Sequence, residues 1–251
     1  MFPTHGKIEC RTCFNDSNEV NECGKWRIRN DPGAWGTELP KYLVLGFSKG
    51  ATQTDIYRFG DFDAVGFGGA ETRTNLTQIL KSIGLLSDVE QVDMKICTTE
   101  KEFHFASLVR CSLARIDDKE SLKKGYPAYA TSGGLIKKSF KEVAHYLENC
   151  SKKFLLDLPK SVELVVMLGS DDGYIKGVKT LIQELHPSTF KSLNAISFSA
   201  AGAIWVHVTH PSRANGHKAT WLRGDQSTIA GSKRNLAEEM IRRYNLRRVK
   251  G

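Results

Sequence analysis

The chain has 251 residues, 40% of them hydrophobic, enough to bury a core in one or two domains; a single domain over 1–251 is expected. No apolar run approaches the ~18 residues that span a bilayer, and the start, Met1 to Lys7, has no secretory apolar stretch. A cytoplasmic monomer without membrane contact is therefore expected. The formal charge of +8 and isoelectric point near 9.1 favour a polyanionic partner such as DNA, because Lys and Arg at phosphates release condensed counterions.

The first chemical signal is Cys10-Arg11-Thr12-Cys13, a spacing that lets two thiolates from one turn reach one metal centre. Six cysteines in an intracellular chain point to metal binding or packing rather than disulfides, because reducing compartments keep thiols free. Residues 1–40 are expected to form the cysteine-bearing segment, with 14–40, rich in Asn, Asp, Gly and Pro, wrapping the surface irregularly. An apolar run over 42–46 reads as a strand and leads into Gly46-Phe47-Ser48-Lys49-Gly50-Ala51. The spacing of Leu76, Ile79, Leu80 and Ile83 predicts a helix over 72–83. A second strand-like run, 105–111, closes on Cys111, and 112–135 reads as an inserted loop. Helical periodicity returns over 136–156, which carries Cys150.

A third strand, 162–169, precedes Gly169-Ser170-Asp171-Asp172-Gly173 and a helix over 175–185. A fourth, 204–209, runs into His210-Pro211-Ser212-Arg213-Ala214-Asn215-Gly216. Strands alternating with helices predict a three-layer α/β/α fold around a central, mostly parallel four-stranded sheet. In such sheets ligands bind beyond the carboxyl ends of the strands, where these glycine-rich and polar loops fall. Two lesser readings come from the same loops: Gly46 to Gly50 as a phosphate cradle with Lys49 as its charge, and Asp171 with Asp172 as ligands of a divalent ion.

Taken in order, the N-terminal C-x-x-C, the glycine-bounded loop, the helix Asn75-Leu76-Thr77-Gln78-Ile79-Leu80, the strand ending in Val109-Arg110-Cys111, the Cys150 helix, the Val165 to Gly169 strand and the His-Pro-Ser turn resemble the uracil-DNA glycosylase superfamily. The resemblance is to its iron-sulfur branch, family 4, and covers residues 9–244. It implies a [4Fe-4S] cluster on Cys10, Cys13, Cys111 and Cys150, tying the N-terminal segment and the insertion to the core. The alternative is Zn on Cys10, Cys13, Cys23 and His5, which lie close in sequence.

The resemblance also implies that His210 donates to a carbonyl oxygen of a flipped-out base as its N-glycosidic bond breaks. Such a donor stabilises charge that appears only in the transition state. Arg213 is the expected wedge in the duplex, with Ser212, Asn215, His217 and Lys218 near flanking phosphates. No lysine matches a Schiff-base position, so a monofunctional enzyme leaving an abasic site is expected.

Two departures from the family pattern bear on mechanism. The family's motif-one loop carries an acidic or amide side chain and usually a proline, where this chain has Phe47, Ser48 and Lys49. Asp55 is the first substitute for positioning the attacking water and Glu71 the second. The family's uracil-reading asparagine falls at Ser107, which lacks the paired donor and acceptor of an amide. Phe47, Ser48, Phe67 and Ser107 are the expected base contacts, with Phe67 the candidate for stacking and Ser48 and Gly68-Gly69 leaving further room, so uracil or a modified pyrimidine, the latter as in phage defence, is the expected substrate. A catalytically silent DNA-binding relative is the alternative.

Overall fold

The computed structural model describes residues 2–15, 17–50, 53, 54, 57, 62, 67–131 and 133–249. Four parallel strands form the middle of a mixed sheet: β6 (Phe103–Ser107), β5 (Tyr42–Gly46), β9 (Leu164–Leu168) and β12 (Ala203–Val208), in that order. Each is a short apolar run, because parallel strands covered on both faces have no water-facing side. The sheet is wider than the four strands expected. Antiparallel strands extend it to eight: β4 (Gly33–Gly36) and β1 (Gly6–Lys7) beyond β6, and β11 (Ser197–Ala200) and β10 (Lys191–Asn194) beyond β12.

Alternation along the strands builds two cores. Leu43, Leu45, Val165, Met167 and Trp205 face one side, where α4 (Ala144–Phe154) and α5 (Asp172–Leu185) pack with Tyr146, Leu147, Val178 and Ile182. Val44, Val166, Val206 and Val208 face the other, covered by α1 (Ala70–Ser82), α6 (Lys218–Arg223) and α7 (Ile229–Val249) through Leu76, Ile79, Trp221 and Ile241. Helix α3 (Gly133–Glu142) precedes α4, and the pair takes the place of the one helical stretch read over 136–156.

The two segments read as irregular are ordered and pair with each other. Strands β2 (Val20–Cys23), β3 (Trp26–Arg29), β7 (Ser112–Ile116) and β8 (Tyr129–Ala130) form a second, antiparallel sheet. Trp26 and Ile28 alternate with Arg27 and Arg29, the period-two pattern of a half-buried strand. Helix α2 (Asp118–Lys124) links β7 to β8. It starts on Asp117, whose side chain accepts from the Lys119 and Glu120 amides, and stops at Gly125, where φ is 72°. Trp26 Nε1 and Arg115 Nε both donate to Glu142 Oε2 at 2.8 Å, which docks this sheet on α3.

The central register sets the site. Gly46 lies level with Ser107, Leu45 with Met167, and Leu168 with Val208. All four strands therefore end at one edge, and the segments following them open together. Gly169, at the end of β9, has φ of 143°, and a Cβ there would lie 2.7 Å from the Tyr174 ring, so only glycine makes this exit from the sheet. Among the described residues no helix is long and apolar enough to cross a membrane.

Candidate active site and cysteine pocket

His210 stands two residues beyond β12. It is exposed, yet nearby protein atoms desolvate it and hold its imidazole below the ordinary histidine pKa. The Ser212 amide donates to His210 Nδ1 at 3.1 Å. An acceptor at Nδ1 puts the proton of the neutral ring on Nε2, which makes Nε2 a donor.

The turn is held from both sides. Asn215 Nδ2 donates to Thr209 Oγ1 at 2.8 Å and to His210 O at 2.6 Å, and its Oδ1 accepts from the His217 amide. Asn75, buried on α1, donates to Pro211 O at 2.9 Å and accepts from Lys218 Nζ at 2.5 Å. Asn215 and Lys218, read from sequence as phosphate contacts, thus both brace the turn. Ser212 is half-buried and its Oγ accepts from the Ala214 amide, whereas Arg213 is 87% exposed and lies 3.9 Å from Glu71 across the mouth. Glu71, the second water-positioning candidate, is thereby paired with a cation; Asp55 lies outside the described residues.

At the ends of β5 and β6, Gly46, Phe67 and Ser107 come together: a Cβ on Gly46 would lie 3.5 Å from the Phe67 ring and 3.7 Å from Ser107 Oγ. Phe67 packs against Trp35 and Phe105. The other two base-contact candidates do not join them. Phe47 is buried in the opposite core, edge-on to Tyr174, and Ser48 Oγ donates to Leu113 O in the small sheet.

Lys49 corrects the phosphate-cradle reading. It is 2% exposed, donates to Arg110 O at 2.5 Å and sits 3.7 Å from Asp31, itself 1% exposed. Burial pushes its pKa down and the Asp31 charge opposes this. Asp31 also accepts from the Ser112 amide at 2.6 Å and Ser112 Oγ at 2.5 Å. An ammonium sealed this way reaches no phosphate. The paired aspartates are likewise engaged: Asp171 caps α5 and lies 3.2 Å from Lys137, and Asp172 lies 2.6 Å from Lys233.

Cys10, Cys13, Cys111 and Cys150 line one pocket, with Thr12, Phe14, Pro32, Arg110, Asn149, Lys153 and Phe154 completing its walls. The chain brings these thiols from before β2, before β7 and within α4. No group of three or more metal-ligating side chains among the described residues closes on a single point; the thiols stand around a space. Burial pushes Cys150 up to about 11 and raises Cys111 and Cys13. Half-burial also works against ionising Cys10, but hydrogen bonding with Thr12 and the charge of Lys153 outweigh it and hold that thiol below its usual value. Asn149 Nδ2 donates to Cys13 Sγ at 3.6 Å.

Four thiols on one pocket are the donor chemistry that a four-thiolate centre uses. Thr12 Oγ1 lies 3.5 Å from Cys10 Sγ, Asn149 donates to Cys13 Sγ, and the Arg110 guanidinium is buried on the same pocket without a hydrogen-bond partner among the described residues. The alternative set of Cys10, Cys13, Cys23 and His5 does not close on a single point among the described residues either, and His5 Nδ1 accepts from the Gly36 amide. Sequence reasoning missed Asn75, Asp31 and Arg110 as working residues; the only local signal was the place of Arg110 beside Cys111.

No family model matches the chain, and no curated protein matches it. Among solved structures it is similar to the crystal structure of wild-type Pedobacter heparinus SMUG2, with a TM-score of 0.40 and 13% identity, covering 82% of this chain and 76% of that one.

Proposed function

We propose that this protein is a single-domain, monofunctional DNA glycosylase that hydrolyses the N-glycosidic bond of a flipped-out pyrimidine. The observation that carries the reading is the Ser212 amide on His210 Nδ1 at 3.1 Å, which leaves Nε2–H free to donate on the floor of the crevice. When the bond breaks, the sugar becomes oxocarbenium-like and the base takes negative charge on a carbonyl oxygen. A neutral imidazole donor stabilises that charge without having to lose a proton, and the lowered imidazole pKa keeps it neutral.

The strand ends carrying Gly46 and the His210 turn are two strand spacings apart, about 10 Å, a gap that a base can enter. Phe67 offers a face for stacking and Ser107 a hydroxyl for the base edge. Serine replaces the amide that would read uracil on two atoms, so we assign the pocket to a modified pyrimidine, in keeping with defence against phage DNA. Arg213, exposed beside the turn, fills the gap left in the duplex, and we assign Asp55 to positioning the water that completes the abasic site. Cys10, Cys13, Cys111 and Cys150 would hold a [4Fe-4S] cluster, which supplies a covalent tie between three chain segments when bound.

The test is abasic-site formation on oligonucleotides bearing uracil, deaminated and oxidised bases, and on DNA with modified cytosines, with His210→Ala as control. Release of a modified pyrimidine that disappears in His210→Ala is the expected result. DNA binding with no cleavage of any substrate would make the protein a silent relative, and robust uracil excision with exclusion of larger bases would remove the assignment of base.

A further inference from the structure

We infer that Arg110 is the charge partner of an anion held by the four cysteines and governs its retention, an inference that rests on the metal centre proposed above. Arg110 is 1% exposed and lines the cysteine pocket. Its Nε, Nη1 and Nη2 all lack a hydrogen-bond partner among the described residues. The guanidinium lies over the rings of Phe2 and Phe154, at 5.9 and 5.1 Å.

A guanidinium stays protonated in proteins and carries five N–H donors. Buried without an anion it is a strongly unfavourable element, and aromatic faces return only part of the lost hydration. The nearest buried carboxylate is already engaged: Asp31 takes the Ser112 amide, the Ser112 hydroxyl and the charge of Lys49. What remains beside Arg110 is the set of four thiols. Four thiolates around a doubly positive core leave a dianion, and Arg110 with Lys153, which lines the same pocket, balances it. The unpaired guanidinium and the thiols therefore belong to one site. Arg110 acts through the sulfurs and is a positioning residue, distinct from the ligands.

The two states of the site give opposite signs for one substitution. Arg110→Met keeps an unbranched apolar stem between the two rings and removes the buried charge. Replacing an unpaired buried ion by an apolar side chain is neutral or stabilising, so the metal-free variant should melt at or above the metal-free full-length protein. The metal-loaded variant should instead release iron to a chelator faster, by about 10- to 100-fold in affinity, the usual effect of losing a partner of metal ligands. Arg110→Lys keeps the charge and should fall between the two.

The experiment purifies the full chain and both variants anaerobically, measures iron and zinc per protein, follows release to a chelator, and melts each protein with and without metal. A reduction midpoint, taken with dithionite as electron donor, should fall in Arg110→Met, because a nearby positive charge favours the added electron. Equal retention and equal midpoint in all three proteins would overturn the inference while leaving the metal centre intact. Six titratable free thiols and no metal in the unsubstituted protein would overturn the metal centre, and the inference with it. A metal-free Arg110→Met that melts well below its parent would also overturn it, by showing Arg110 to be a packing residue satisfied without an anion.

Discussion

The buried ion pair between Lys49 and Asp31 makes a stability prediction that is independent of any activity. The two charges are 3.7 Å apart with side chains 1% and 2% exposed. At an effective dielectric of about 20, that separation gives an attraction of about 4.5 kcal/mol. Asp31→Leu removes it and strands the ammonium and the Ser112 amide, while the Ser112 hydroxyl keeps Thr54 Oγ1 as a partner. Breaking a buried pair from one side costs about 3–5 kcal/mol. For a chain of this size each kcal/mol moves Tm by about 2–4 °C, so a fall of roughly 6–20 °C is expected.

The double variant Asp31→Leu/Lys49→Met removes both charges and should recover part of this loss. It stays below the unsubstituted protein, because the Ser112 amide still lacks its acceptor, a deficit of about 1–3 kcal/mol. Lys49 in Asp31→Leu also titrates in a known direction. Its folded pKa is depressed by burial, so the unfolded chain binds more protons and stability rises as pH moves from neutral toward the ordinary lysine value of 10.5. Urea unfolding followed by far-UV circular dichroism measures all three effects. A single variant that loses less than about 1 kcal/mol, or a double no more stable than the single, would refute the reasoning that this pair is dry and coupled.

Two further outcomes are expected. His104 and His207 are buried, and desolvation lowers their pKa values from 6.5 to about 3 and about 4; the unfolded chain therefore binds more protons below 6.5, and stability should decline as pH falls through that value toward 3, a slope that urea midpoints across pH would show and His207→Leu would flatten. Asn75→Ala removes the hydrogen bonds to Pro211 O and from Lys218, one of them charge-assisted; a loss of about 1–3 kcal/mol in unfolding free energy is expected, with kcat down on the order of 10²-fold as His210 shifts and KM changed less, measured by melts and steady-state kinetics side by side.

The central strands were legible because parallel strands covered on both faces are unbroken apolar runs, as in Leu164–Leu168. The four cysteines were legible as a set through the order of motifs, and the chain does bring them to one pocket. What escaped was antiparallel and non-local. Strands β2, β3, β7 and β8 are short and lie among Gly, Asn and Pro, and pairing such as Ile28 with Leu113 leaves no trace within either segment. Strand β11 and the edge strand β10 were missed for the same reason. Phe47 and Lys49 were misplaced because sequence shows that a loop follows β5 but not which way each side chain turns. Phe47 enters the core against Tyr174, and Lys49 turns inward to Asp31.

The candidate pocket and the cysteine pocket share one short stretch of backbone. Ser107 stands on the base side, and Arg110, Cys111 and Ser112 follow within five residues. Beyond the strands the Leu108 amide donates to Gly46 O at 2.8 Å and the Val109 amide to Phe47 O at 2.9 Å, so residues 46–49 and 107–112 stay paired past the sheet edge. Lys49 then closes the end of this ladder on Arg110 O, and Asp31 ties it to the segment leading into β4. A change at Cys111 cannot be absorbed by a flexible linker, because none lies between it and Ser107. The segment carrying Ser107 is therefore held from the cysteine side by this ladder, and the His210 turn is held separately by Asn75. For the function proposed above, this gives a physical reason why a metal centre with no contact to substrate would be retained: it would fix the spacing between the Ser107 segment and the His210 turn.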